Sequence, residues 1–401
     1  MSLEKRLRTL LGNAAIVECD SSGKPQVAPR SEETLSILLQ AASESNWHVR
    51  IDGLGHWMPT DAPADLVVTT RCLDSVPYFS PADLVATAGA GISWSTLQQH
   101  LVDDGAWVTL DAPGTERTVG SVVSTGTAGS LRGSYGNVRD HVLGLTLITG
   151  DGRVLRLGGI VVKNVAGFDI AKLATGSFGA FGIITSVTFR LRAVPRADAT
   201  LLATGVRDTL LAAAHAILAT GVTPAALELL SPTVAGTHDW GLAVRLVGSN
   251  AEVAAARDTV RGAADVKLIG LSTDDASKQW HAVVSGAAVN PTTLRLGALP
   301  FSIERALDLI AHHLSEGWTT VTTGVGSIRW SGTATLEELR LLRHTAAQQE
   351  IPLTLERAPW SIRAAFGHFG AYREGVGRLV QGLRQEFDPA GILVTSVEPQ
   401  P

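Results

Sequence analysis

Two cysteines, Cys19 and Cys72, are all that a 401-residue chain carries. They are too few for a disulfide framework, and an iron–sulfur cluster needs about four thiolates. Aromatic residues make up only 5% of the chain, and its 33 basic residues interleave with 38 acidic ones. With no basic stripe, nucleic acid is not expected as a partner. No window approaches the roughly 18 consecutive apolar residues of a membrane span. The N-terminus, MSLEKRLRTLLGNAAIVECD, lacks the apolar core of a signal peptide. It reads instead as an amphipathic helix over 2–12, with leucines at 3, 7, 10 and 11. The expectation is a soluble, cytoplasmic chain.

Hydrophobic residues make up 45% of the chain, enough for two domains with sizeable cores. Glycines are concentrated in a few stretches. The most organised is residues 159–188, GIVVKNVAGFDIAKLATGSFGAFGIITSVT. Its spacing predicts a short strand over 160–162, a turn and helix over 167–174, and a strand over 183–190. Gly176, Gly179 and Gly182 punctuate the approach to that last strand. Glycine lets backbone come close to a flat or charged ligand, because no Cβ intervenes. The spacing matches neither GxGxxG on a βαβ unit nor GxxxxGK[ST], so a nucleotide cofactor must be held in another way.

Two upstream stretches share this character. A helix beginning after Ser31, with Leu35, Leu38, Leu39 and Ala42 on one face, leads to a strand over 48–51 and then DGLGHW. Gly53 and Gly55 could form an anion-binding nest or a plain turn. His56 is either a covalent flavin attachment point or an ordinary loop histidine. Further on, Pro113 and Gly114 mark a tight turn, and Thr118 to Gly129 is a run of small and hydroxyl residues suited to a pyrophosphate or ribityl chain. A hairpin over 144–157 turns at Gly150-Asp151-Gly152. From Pro195 the glycine clusters vanish. Helices (209–218, 252–261, 303–316) alternate with strands (227–230, 242–246, 293–296, 325–330), which predicts a second α+β unit with an antiparallel sheet. A helix, a strand, a terminal helix over 375–387 and then DPAGIL close the chain.

Together, the GxG turn, the PG…TxGS…STGTAG run and KNVAGFDIAKLATGSFGAFGIIT resemble the FAD-binding domain of the vanillyl-alcohol oxidase/PCMH superfamily. VRDHVLG, ITGDGRVLRLGG, VVKNVAGFDIAKL and FDPAGI are similar to the FAD-binding E subunits of bacterial glycolate oxidases. The resemblance implies an α+β fold: a PCMH-type FAD-binding domain of two subdomains (1–195), an α+β cap domain (196–340) and a C-terminal segment returning to the FAD domain (341–401). It assigns Gly53, Leu54, Gly55, His56 and Trp57 to the pyrophosphate of FAD. Pro113, Gly114, Thr118, Gly120, Ser121, Ser124, Thr125, Gly126 and Gly129 would follow the diphosphate and flavin. Gly179, Gly182, Ile183 and Ile184 would meet the adenosine side, with Lys163, Asn164 and Asp169 supporting the turn. The chain departs from the family in DGLGHW, where Trp57 replaces a small residue, in Phe178, and in VTSVEPQP after FDPAGI.

The implied activity is oxidation of a 2-hydroxy acid such as glycolate. That chemistry needs a cation for the carboxylate and a base for the hydroxyl, while the cofactor takes the hydride. Arg295 and Arg329 are the candidate carboxylate holders, and each could equally serve a structural ion pair. His281 and His368 are the candidate bases, and each could equally be structural. His312 and His313 neighbour each other on a helix with their rings expected to point apart, and no metal site is expected. The family implies a hetero-oligomer with a homologous FAD subunit and an iron–sulfur subunit, with membrane contact at the inner face of the plasma membrane only through those partners. Two other readings remain open: a stand-alone flavin oxidoreductase acting on another small alcohol or acid, and a non-catalytic subunit that binds FAD structurally.

Overall fold

The computed structural model describes residues 2–20, 23–55, 57, 60–114, 116–160, 169–369 and 375–395. Lys163 and Asn164, most of the expected strand 160–162, and His56 lie outside these residues.

The first half forms two small α+β subdomains. In one, strands Ala15–Cys19, Pro25–Pro29, Leu66–Thr69 and Val49–Asp52 form a mixed sheet in that spatial order. Helix Glu32–Ser45 covers it. Ser31 caps that helix, accepting from Thr34 N at 3.1 Å, and the left-handed Asn46 ends it. Leu35, Leu38, Leu39 and Ala42 fall on its buried face, as their spacing requires. In the other subdomain, strands Tyr78–Ser80, Val85–Gly89, Ile183–Arg190, Val142–Ile148 and Val154–Gly158 form an antiparallel sheet. Helices Trp94–Asp103 and Val119–Thr125 pack against its core.

The second half is one antiparallel sheet with eight strands among the described residues. Their order is Ile269–Gly270, Ala197–Gly205, Trp240–Gly248, Ala226–Leu230, Trp318–Thr322, Ser327–Gly332, Thr292–Gly297 and Leu353–Arg357. Side chains alternate between faces with a period of two. Leu227, Leu229, Val244, Leu294, Leu296, Val321, Ile328, Trp330 and Leu355 therefore enter one core under helices Arg207–Ala219, Asn250–Ala263, Ile303–His313 and Leu336–Gln348. Glu228, Thr320, Thr322, Arg329, Arg295 and Glu356 fall on the opposite face, turned towards the first half. The sequence reading began the returning segment at 341. Strand Leu353–Arg357 instead pairs with Thr292–Gly297, because its Leu353 and Leu355 complete the helix-covered core.

The chain then returns and clamps the two subdomains together. Phe387 enters the core of the second subdomain, while Ile392 and Leu393 enter that of the first. Val49 N donates to Ile392 O at 2.8 Å and Val394 N to Val49 O at 3.0 Å, so the tail covers an exposed sheet edge. The buried Asp388 carboxylate closes the turn, accepting from Ile392 N (3.0 Å) and Leu393 N (2.9 Å), with Arg384 3.5 Å away. Among the described residues no helix is long and apolar enough to cross a membrane. Replacing Asp388 with Ala should lower stability by about 1.5–3 kcal/mol in urea unfolding, the range for hydrogen bonds to a charged group.

Candidate functional site

The strand ending at Asp52, helix Val119–Thr125 and the turn into strand Ile183–Arg190 converge where the two subdomains meet. They line a cleft with about 940 Å³ of atom-free space, part of it open to solvent. Its lining includes Gly53, Leu54, Gly55, Trp57, Thr118, Gly120, Ser121, Ser124, Thr125, Gly179, Gly182, Ile183 and Ile184.

Close backbone approach explains the glycines. A Cβ on Gly53 would lie 2.6 Å from Thr118 Oγ1, and one on Gly182 (φ +142°) would lie 2.3 Å from Ile148 O. Thr118 caps its helix, accepting from Ser121 N at 3.1 Å. That helix has poor intrinsic propensity and was not expected from the small-residue run. The spacing of the buried Val119, Val122 and Val123 is the signal that could have revealed it.

Four of the expected glycine-and-turn residues sit just outside the cleft. Pro113 and Gly129 line a second cavity, Gly114 packs on the Trp57 ring, and Gly126 backs onto Gly176. Phe178, read from sequence as a departure, lines the cleft. The structure also adds Arg50, Asp52, Arg117, Trp360 and Val394 to its wall. Three buried polar atoms there, Arg50 Nε, Asp52 Oδ1 and Trp57 Nε1, have no partner among the described residues. Buried polar groups are nearly always satisfied, so these point to a polar ligand. Burial raises the Asp52 carboxyl against the opposing pull of Arg50.

Arg117 stacks on Trp57 at 4.3 Å and is 3% exposed. Among the described residues it donates only to neutral oxygens, those of Pro113, Ser121, Thr125 and Thr127. Burial lowers it to about 9, with Glu356 raising it and Arg329 lowering it. Trp57 also shares one buried apolar cluster with Leu230, Ala243 and Trp318 of the large sheet, which joins the cleft to the second half.

On the facing sheet, Arg295 and Arg329 are direct cross-strand neighbours. Like charges so placed repel, and Glu356, 1% exposed, binds both. Its carboxylate accepts from Arg329 Nε at 2.7 Å and Nη2 at 3.2 Å, and from Arg295 Nε at 3.0 Å. Burial works to raise the Glu356 carboxyl, but the two arginines outweigh it and hold it below its ordinary range. Arg329 Nη2 also donates to Ala128 O at 3.1 Å, across to the first half.

His368 is fully buried behind Phe178, with ring centroids 3.8 Å apart, and Nδ1 lies 3.0 Å from Leu355 O. Burial and Arg363 hold it well below the usual histidine range, so it is neutral. His281 is exposed on helix Thr273–Ser285, away from the cleft lining. The His312 and His313 rings meet edge to face at 4.9 Å rather than pointing apart, because the helix end lets them turn towards each other. No metal-binding group forms among the described residues.

Residues 25–158 match the family model described as FAD binding domain. The chain is 31% identical over 330 residues to the glycolate oxidase subunit GlcE of Escherichia coli (strain K12), covering 80% of this chain and 84% of that one. It is 30% identical over 225 residues to the glycolate oxidase subunit GlcD of Bacillus subtilis (strain 168), covering 53% and 47% respectively. In fold it is similar to alkyldihydroxyacetonephosphate synthase, with a TM-score of 0.67 and 15% identity over 92% of this chain and 77% of that one. FAD is the cofactor, and the glycine-lined walls and unpartnered polar atoms of the cleft fit it. Replacing Gly53 with Ala should push the loop off Thr118 and weaken FAD binding at least about tenfold, about 1.4 kcal/mol, measured by flavin fluorescence. The chain belongs to the family of FAD-dependent oxidoreductases that includes the glycolate oxidase subunit GlcE.

Proposed function

We propose that this chain is the FAD-binding subunit of a 2-hydroxy-acid oxidase or dehydrogenase complex acting on glycolate or a close relative. The observation that carries this reading is the pair of buried Arg329 and half-buried Arg295 on the sheet face turned towards the FAD-binding half. Two guanidinium groups share one carboxylate, and Arg132 is lowered to about 10, first by burial and then by these two arginines. A net positive charge is thus held in a partly desolvated place, where a monoanionic substrate would neutralise it.

In this reading Arg329 and Arg295 bind the substrate carboxylate, and Glu356 orients them. Bound FAD supplies the hydride acceptor. His368 serves as packing behind Phe178, since it is sealed from the cleft. With two cysteines the chain has no means of holding an iron–sulfur cluster. Electrons therefore pass to partners: a homologous FAD subunit and an iron–sulfur subunit, through which contact with the membrane is made. The FAD-binding unit is taken as residues 1–195 together with the returning tail.

Engagement of both arginines by Glu356 favours a second reading, in which the row is structural and FAD is bound without turnover. Reduction distinguishes the two. Glycolate should bleach the blue flavin absorbance of the chain purified with its partners, and an unchanged spectrum would support the structural reading. Arg329→Lys, which loses the bidentate fork, should raise KM for glycolate by about ten- to a hundredfold, the loss of one charge-assisted pair of about 1.5–3 kcal/mol. Steady-state kinetics on the intact complex would measure it.

A further inference from the structure

Between the first half and the large sheet lies a second cavity, with about 220 Å³ of atom-free space. Asp111, Ser130, Glu228, Thr320, Thr322 and Arg329 supply its polar lining. Asp111 is spoken for, because its carboxylate accepts from Ser130 N at 2.9 Å and Leu131 N at 3.0 Å. Glu228 is not. It is 1% exposed, and its Oε1 is buried with no partner among the described residues. An acid in the otherwise apolar strand ALELL, left with an unmet oxygen, is costly unless something it binds completes the site.

We propose that Glu228 takes the hydroxyl proton of the 2-hydroxy acid, in a cavity it shares with Arg329. This rests on the substrate reading above. Arg329 faces the same cavity and would hold the carboxylate, which brings the neighbouring hydroxyl of a small 2-hydroxy acid to the Glu228 side. In the step, the O–H bond breaks and its proton goes to Glu228 Oε1. The carbon–oxygen bond becomes a carbonyl, and the hydrogen on that carbon leaves with its electron pair, a hydride that bound FAD would accept. The carbon is oxidised by two electrons, which the bound cofactor would take up.

The surroundings set the proton affinity. The Glu228 carboxyl is raised to about 8, chiefly by burial and also by Asp111, against the opposing hydrogen bonds from Thr322 and Ser130 and the charge of Arg329. Arg245 acts on Asp111 from the adjoining strand, Glu356 lies behind Arg329, and helix Thr273–Ser285 presents only Val283 and Val284. Because the proton acceptor must be ionised, kcat/KM should rise with pH through about 8.

Glu228→Gln keeps the shape of the protonated side chain and removes the proton acceptor. In the complex it should lower kcat with glycolate by about 10²–10⁴, leave KM within about threefold, and abolish the rise through pH 8. Oxalate, which binds but cannot react, should perturb the flavin spectrum of the variant as it does the parent's. A readout independent of turnover is the infrared band of a protonated carboxyl. It should be present in the parent near neutral pH, fade as pH rises through about 8, and be absent from the variant. Unchanged kcat and pH profile in Glu228→Gln, or a parent without a titrating band, would overturn the assignment. A parent complex inert towards every 2-hydroxy acid would overturn the substrate reading instead.

Discussion

The architecture turns on one buried ion-pair row. Arg329 binds Glu356 through two nitrogens and reaches across to Ala128 O, so a single guanidinium ties the large sheet to the helix and loops that wall the FAD cleft. Removing one partner of such a pair leaves the other buried and uncompensated, at about 3–5 kcal/mol. The row thus constrains how the two halves meet. The Trp57–Arg117 stack and the Gly114 N to Val284 O hydrogen bond follow the same junction.

The cofactor site obeys a different constraint, that of backbone proximity. Its walls approach so closely that Gly53 and Gly182 have no room for a Cβ. Among its polar side chains, Thr118 is turned to capping, Arg117 to Ser121 and Thr125, and Asp52 and Trp57 each keep an atom without a partner among the described residues. Asp388 completes this arrangement from the far end of the chain by pinning the tail that places Val394 in the cleft wall. The cleft is therefore made by regions remote in sequence, from the strand ending at Asp52 to the tail that carries Val394.

Much of this was legible because local rules carry it. Ser31 with the 35, 38, 39, 42 spacing announced its helix, whose buried face carries those residues. The glycine loops were readable because the same residues that free the backbone also mark it. Helix Val119–Thr125 was hidden, since its Ser, Thr and Gly residues have low helix propensity and tertiary burial of three valines overrides them. Strand Leu353–Arg357 was assigned to the returning segment because sequence order says nothing of which sheet a strand joins.

What the sequence determined alone was the set of close backbone approaches and the two-period pattern of the large sheet, both of which depend on residue type at short range. Only the tertiary structure decided the electrostatics. Arg295 and Arg329 were visible as candidates, but Glu356, 27 residues beyond Arg329, makes them one unit. Glu228 became notable only when folding buried it beside Arg329 and left one oxygen unmet. A charge takes its meaning from the dielectric and the neighbours around it, and those are supplied by distant parts of the chain.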